Sequence, residues 1–545
     1  MKKLLPYYFG ILVLAIVICF PLILPYFKTG FFPTHDGEWA VVRLSDMYRE
    51  IKDFQFPARY SGYLNFQYGY PLFNFEYPLP YYLGLIFVAL KFGFVNSIKI
   101  LFSLSAILSF FSMFLLSASI WKNRWAGFIS SVLYIYVPYR LVDLYVRGSI
   151  GESLSFVLFP LILLGIKRIY EKQSISNVLL VGFLYSLLIT THNIMTVLFG
   201  LVIMLILLVA LIAKKINFIF KLFLSLVFSL ILSAFFWIPA IFEKNLILLS
   251  KIPIANRNLY FVKPLELIIP KWGYQVPTDP NGLGYQIGIP QLAGFCVVLF
   301  LLAWTFLKKK KNNDSIIALF LAVSAFLISL LFFSQTSFIW SHVPLLSEIN
   351  YPWTLLAIEM FLISLLVGFV TKFGKYSILL GLGIAAASIL LFIPHAKPQS
   401  YVNRGDLFYL TNQGTTTSSN EIMPLWVKKQ PDKSFSQKVE ANGAVIEGLS
   451  YNSRKISFAL DLPKKEIVRI NTIYYPGWNF KSDSINVPLS YNNPGGLIDL
   501  NIDKGSHVIR GEFSETPLRL FSDIVSVCGY IFLVGFMFMS FKKKI

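Results

Sequence analysis

The 545-residue sequence predicts an α-helical polytopic membrane protein of about 12–13 transmembrane helices, with a small extracytoplasmic β-sandwich-like domain near its C-terminus. Three observations carry this. Only 14% of residues are charged, where soluble domains hold about 25%. Apolar runs long enough to cross a bilayer recur along most of the chain. One late stretch, 395–516, is polar and broken by turn signals instead.

The apolar runs are residues 6–27, 98–119, 125–141, 153–171, 177–191, 194–213, 217–241, 287–307, 315–333, 352–371, 376–394 and 518–541. The first is too long for the core of a signal peptide and no small-residue cleavage site comes after it, so it reads as an uncleaved helix. Segment 79–94 is shorter and broken by Lys91, which suits a re-entrant or interfacial piece. Lysines cluster at the ends of the runs: Lys2-Lys3, Lys167, Lys214-Lys215, Lys308 to Lys311, Lys372, Lys375 and Lys542 to Lys544. That is the positive-inside pattern. It places both termini in the cytoplasm and accounts for the net charge of +20 without nucleic acid. Cys19, Cys296 and Cys528 fall within apolar runs, so no disulfide framework is expected.

In 395–516, Lys455-Ile456-Ser457-Phe458-Ala459-Leu460-Asp461-Leu462 alternates as a half-buried strand does, and Asn442-Gly443, Pro476-Gly477 and Asn493-Pro494-Gly495-Gly496 mark turns. The expected organisation is a transmembrane domain over 1–394, a β-domain over 395–516, and a final helix with a basic tail over 517–545.

With this topology the charged loops gather on the outer face. The first of them, 28–80, concentrates His35, Asp36, Glu38, Arg59 and Tyr70 among prolines, glycines and aromatics. A carboxylate at a membrane surface can deprotonate an acceptor hydroxyl, which makes Asp36 the candidate base; the alternative is a solvated loop acid. His35 can orient Asp36, and Glu38 is a second candidate acid. Arg59 can meet a phosphate through its planar fork. Tyr70 and its neighbours can face a sugar ring or form an interfacial belt. A second cluster, Tyr139 to Glu152, carries Arg147 beside Gly148, where a phosphate can approach closely. Glu152 there can serve the site or simply favour a helix N-terminus. A third, Thr190-Thr191-His192-Asn193, offers His192 to a phosphate or a proton relay. Ionisable groups at membrane depth favour function for Arg147, whose alternative is a surface anchor; for His192 a hydrogen-bonded helix-end histidine is the equal alternative. A divalent metal such as Mg or Mn would take His35 and Asp36, but no spacing such as His-Glu-x-x-His requires one. No phosphate loop, Gly-x-Ser-x-Gly elbow or Cys/His pair stands out.

Taken together, the His35-Asp36 loop, Phe56-Pro57-Ala58-Arg59-Tyr60, Tyr68-Gly69-Tyr70-Pro71 and Tyr77-Pro78-Leu79-Pro80-Tyr81-Tyr82 resemble a bacterial membrane-protein family labelled "6-pyruvoyl-tetrahydropterin synthase-related". Asp143 to Gly148 with Glu152, Thr191-His192-Asn193, Tyr351-Pro352-Trp353 and Pro424-Leu425-Trp426 extend the likeness. Tyr474-Tyr475-Pro476-Gly477-Trp478 is similar to a stretch of membrane proteins that glycosylate lipoteichoic acid. Thr354 departs from the pattern, which has Arg there. The resemblance implies a GT-C-fold glycosyltransferase in which Asp36 is the catalytic base or acceptor-binding acid and whose donor is a polyprenyl-phosphate sugar, passed to a glycan, lipid or protein acceptor in the cell envelope. Tyr474, Tyr475 and Trp478 would then stack on acceptor sugars or form the β-domain core. A flippase of lipid-linked saccharide and a non-catalytic envelope scaffold are the rival readings. Transporters tend to carry polar groups at mid-membrane, whereas here they lie at the surface.

Overall fold

The computed structural model describes residues 5–542; Lys2, Lys3, Lys543 and Lys544 lie outside the described residues. Nine helices among the described residues are long and apolar enough to cross a membrane, or ten if one broken pair is a single span. The chain is a multi-pass membrane protein. The nine correspond to nine of the twelve expected runs. The other three are also helical but differ in form. Run 125–141 ends as a helix at Ile135, run 177–191 is the 17-residue helix Ile175–Thr191, and run 217–241 is interrupted at Ser233. Pro138 and the turn after it shorten the first of these, because proline cannot donate to a preceding turn. Segment 79–94 holds the 11-residue helix Leu79–Ala89.

The chain divides into two compact units. The first combines Met1–Ala40, Ile86–Leu230 and Ala255–Gly405, and the second combines Val41–Leu85, Ile231–Ile254 and Asp406–Ile545. The polar loop 28–80 is therefore shared out: its start belongs to the first unit and the rest to the second.

In the first unit, helix α1 (Leu5–Ile23), Gly93–Trp121 and Ile150–Glu171 pack together, and residues 352–371 are buried throughout. Serines on Gly93–Trp121 are buried and return their hydroxyls to carbonyls of the preceding turn, as Ser105 and Ser109 do. Small residues of this kind let helix backbones approach closely in lipid.

The second unit opens with most of helix α2 (Gly37–Lys52). Its Arg43 pairs with Glu76 at 2.6 Å and its Asp46 and Glu50 are fully buried. The unit contains nine strands: β1 (Val439–Glu440), β2 (Val445–Tyr451), β3 (Lys455–Leu462), β4 (Glu466–Ile473), β5 (Trp478–Ser482), β6 (Ile485–Val487), β7 (Leu489–Ser490), β8 (Leu497–Ile502) and β9 (Gly505–Phe513). They form two antiparallel sheets of order β1-β4-β8-β7 and β2-β3-β9-β5-β6. The alternation expected of β3 is realised: Ile456, Phe458, Leu460 and Leu462 are buried, and their neighbours are not. Tyr475 and Trp478 belong to the core at 0% and 5% exposure. Tyr474 stacks on Tyr491 with centroids 4.2 Å apart.

Candidate functional site

Within the first unit, a short ladder brings two of the sequence clusters together. Phe31 and Phe32 stack at 5.1 Å and are buried against Tyr26, Phe102 and Tyr145, which anchors the chain as it leaves α1. Beyond them the His35 N–H donates to the Val146 carbonyl at 2.9 Å, and the Asp36 N–H to the Arg147 carbonyl at 2.7 Å. Thr34 Oγ1 then accepts from the Gly37 N–H at 2.9 Å, and the Asp36 carbonyl accepts the first helical bond of α2 from Ala40. Ser and Thr favour such positions because they satisfy the free N–H groups of a first turn.

The opposing strand of the ladder is a π turn, Asp143–Arg147, closed by the Gly148 N–H to the Asp143 carbonyl at 2.9 Å. Gly148 has φ +64°, and a Cβ there would collide with Thr34 Oγ1 and lie 2.8 Å from the Gly37 nitrogen. Glycine is needed both for the left-handed backbone and for the close approach. Gly148→Ala is expected to cost about 1–2 kcal/mol in backbone strain alone. It should also push the two loops apart. Thermal unfolding of the variant against the wild type checks this.

Arg147 is fixed from one side. Its Nη1 donates to the Glu152 carboxylate and to the Tyr139 hydroxyl at 3.2 Å, and its guanidinium lies 4.8 Å from the Trp353 ring centre. The Tyr139 hydroxyl in turn donates to Glu152. Among the described residues Nε and Nη2 of Arg147 have no hydrogen-bond partner, and the side chain keeps 14% exposure. Burial opposes its charge, but Glu152, Tyr139, Asp143 and Asp36 more than offset that and hold it strongly cationic. Arg140, seven residues earlier, is a structural counterpart. It is fully buried and bonded to Ser105 Oγ, the Ser153 carbonyl and Asp143. Burial, followed by Glu152, pushes the Asp143 carboxyl up to about 8.

His192 ends Ile175–Thr191 and caps Asn193–Ile212, with Nδ1 accepting from the Met195 N–H at 3.3 Å. Burial and then the Arg147 charge push it down to about 3. The ring is therefore neutral at physiological pH, and the acceptor at Nδ1 assigns its proton to Nε2. Any contact it makes with a phosphate is as a neutral donor. Asn193 beside it is exposed.

The remaining candidates have other surroundings. His35 Nε2 lies 3.0 Å from the Tyr274 carbonyl. Glu38 pairs with Arg404 at 3.0 Å. In the second unit Arg59 is 1% exposed, its fork held by the Phe235 carbonyl at 2.6 Å, Asp523 at 2.7 Å and Glu515 at 3.4 Å. Tyr70 is fully buried against Thr416. Those contacts engage the Arg59 fork and the Tyr70 hydroxyl within the second unit. Among the described residues no group of three or more His, Cys, Asp or Glu is placed to hold a metal ion. His35 is engaged by the Tyr274 carbonyl and Glu38 by Arg404, and with no such group assembled around Asp36 a Mg or Mn site does not fit this arrangement. Thr354, standing where Arg was expected, bonds its own turn at the Tyr351 carbonyl.

Tyr139 lies in the same sequence cluster as Arg147, eight residues before it. Trp353 comes some two hundred residues after it, and nothing in the sequence sets it beside Arg147.

The fold is that of a helical membrane protein with a C-terminal β-rich region. No family model matches the chain, and no curated protein matches it in sequence. Among solved structures it is similar to the Archaeoglobus fulgidus oligosaccharyltransferase in the apo form, at 15% identity and TM-score 0.44, over 77% of this chain and 61% of that one. It is similar to AglB from the same organism in complex with an inhibitory peptide and a dolichol-phosphate, at 14% identity and TM-score 0.44, over 79% and 61%. The same enzyme tethered with an acceptor peptide gives 15% identity and TM-score 0.42, over 77% and 60%. This chain thus spans about three fifths of those proteins.

Proposed function

We propose that this protein is a GT-C-type membrane glycosyltransferase. It moves a sugar from a polyprenyl-phosphate donor to a glycan, lipid or protein acceptor at the outer face of the cell membrane. The observation that supports this reading is the pairing of Asp36 with Arg147 across the ladder, an acid and a half-free guanidinium fixed to each other by backbone. Asp36 takes the proton of the acceptor hydroxyl as its oxygen bonds to the anomeric carbon. The bond from that carbon to the phosphate oxygen breaks, and polyprenyl phosphate leaves with the electron pair. Charge gathers on the leaving phosphate, where the outward N–H groups of Arg147 and the neutral Nε2–H of His192 can receive it. A single displacement inverts the anomeric carbon. Glu152, Tyr139 and Trp353 position Arg147 without touching the sugar. In this orientation both termini are cytoplasmic and the strands of 439–513 are extracytoplasmic.

The test offers the purified full chain in lipid nanodiscs a panel of polyprenyl-phosphate sugars. Release of polyprenyl phosphate is expected for one of them. Asp36→Asn should slow it by about 10²–10⁴-fold, the usual worth of a general base, with donor affinity nearly unchanged. Equal turnover by the variant would refute the role of Asp36. Movement of lipid-linked sugar between leaflets with no donor cleaved would mark a transporter.

A further inference from the structure

A second site belongs to the second unit and shares no residue with the ladder. β1 is the edge of one sheet and β2 the edge of the other. Beside them opens a cleft of about 660 Å³, lined among others by Gln67, Phe435, Gln437, Lys438, Leu449 and Tyr451. A second cleft of about 510 Å³ adjoins it at Ser434, Phe435 and Ser436 and carries Tyr68, Asp432, Lys433 and Glu440. Together they make a polar furrow with aromatic walls, of a size that holds several sugar rings.

Lys438 is the unusual member. It is only 8% exposed, and its Nζ donates to the carbonyls of Gln67 at 3.0 Å and Asn471 at 2.8 Å. Phe435 and Tyr451 flank the ammonium, with ring centres at 4.8 and 5.5 Å. Among the described residues no carboxylate pairs with it. An ammonium has three N–H donors, and the two carbonyls use two of them. Burying a cation without a counter-charge is costly, and burial indeed pushes this one down to about 7. A negatively charged ligand group would relieve that cost.

The walls narrow the ligand class further. β2 is exposed along nearly its whole length, and Tyr451 keeps 44% exposure. An open edge invites a peptide strand. Here, however, the register slips between Glu447 and Ser450 and Gly448 has φ +60°. Such a bulge breaks the row of backbone groups that strand addition needs. The furrow offers aromatic faces, amide and hydroxyl side chains and the buried Lys438, with Asp432, Lys433 and Glu440 along its adjoining cleft. We infer that this furrow is a binding site for an acidic saccharide, with Lys438 receiving its carboxylate or phosphate and Tyr451 and Phe435 lying against its rings. The site stands independently of the proposed transfer reaction.

Calorimetry on the full chain in nanodiscs tests it with three probes: an oligoglucuronate, a neutral glucose oligomer of equal length, and inorganic phosphate. The oligoglucuronate should bind about tenfold tighter than the neutral oligomer, the scale of one charge-assisted hydrogen bond. Lys438→Met should abolish that preference. Tyr451→Ala, at an exposed position, should weaken both oligomers while leaving the unfolding temperature unchanged. Equal binding of the two oligomers, a preference that survives Lys438→Met, or no binding at millimolar concentration would each overturn the inference. Phosphate binding as tightly as the oligoglucuronate would show an ion site instead of a saccharide site. An extended peptide bound equally by wild type and Lys438→Met would show a strand-addition edge.

Discussion

Arg147→Ala is expected to lower donor turnover by about 10²–10³-fold, the loss seen when a preorganised donor to developing negative charge is removed. It should also destabilise the protein. Glu152 is fully buried and Arg147 is its ion-pair partner, and stranding a buried charge costs about 3–5 kcal/mol. The two effects can be separated. In Arg147→Ala combined with Glu152→Gln no charge is stranded, so most of the stability should return while turnover stays low. Arg147→Lys keeps a positive charge but lacks the planar fork that divides between Glu152 and an incoming phosphate, so it should not rescue turnover. Recovery of both quantities in the double variant would reduce Arg147 to a structural role.

The second large effect is expected in the other unit. Glu243 is almost wholly buried and collects Arg519 Nε at 2.9 Å, Arg519 Nη2 at 2.7 Å, Asn74 Nδ2 at 2.8 Å and the Tyr475 hydroxyl at 2.9 Å. The guanidinium of Arg519 also lies 5.1 Å from the Tyr475 ring centre. This hub ties the start of the last helix to the β-rich core. Arg519→Met should lower stability by about 3–5 kcal/mol, because Glu243 would be left charged and unpaired. Adding Glu243→Gln should recover most of it. Denaturant unfolding in mild detergent reads both. An Arg519→Met variant as stable as the wild type would show that Glu243 simply takes up a proton at no cost.

How far the sequence reveals the molecule depends on the range of the interactions involved. The membrane helices are plain because each run is apolar by itself. The strands are plain where alternation is local, as along β3. The polar loop 28–80 reads as one functional unit because its charged and aromatic residues lie close together in the chain. Its parts are in fact separated by their partners: Asp36 is bonded to the Arg147 backbone in one unit, while Arg59 and Tyr70 are buried with Asp523, Phe235 and Thr416 in the other. Nothing in residue spacing announces a partner some hundreds of positions away. Lys438 escapes notice for the same reason. In the sequence it is one lysine in a polar stretch, and only the fold shows it buried between two rings with no acid among the described residues paired to it.

The π turn from Asp143 to Arg147 limits how this protein can vary. A π turn is an α turn carrying one extra residue. Deleting any one residue there would let the segment relax to α geometry and swing the residues after it by about 100° around the helix axis. Arg147 would then face away from Asp36, and Gly148 would lose its place against Thr34 and Gly37. Here the register of the chain, more than the identity of most of its residues, sets where the cation stands.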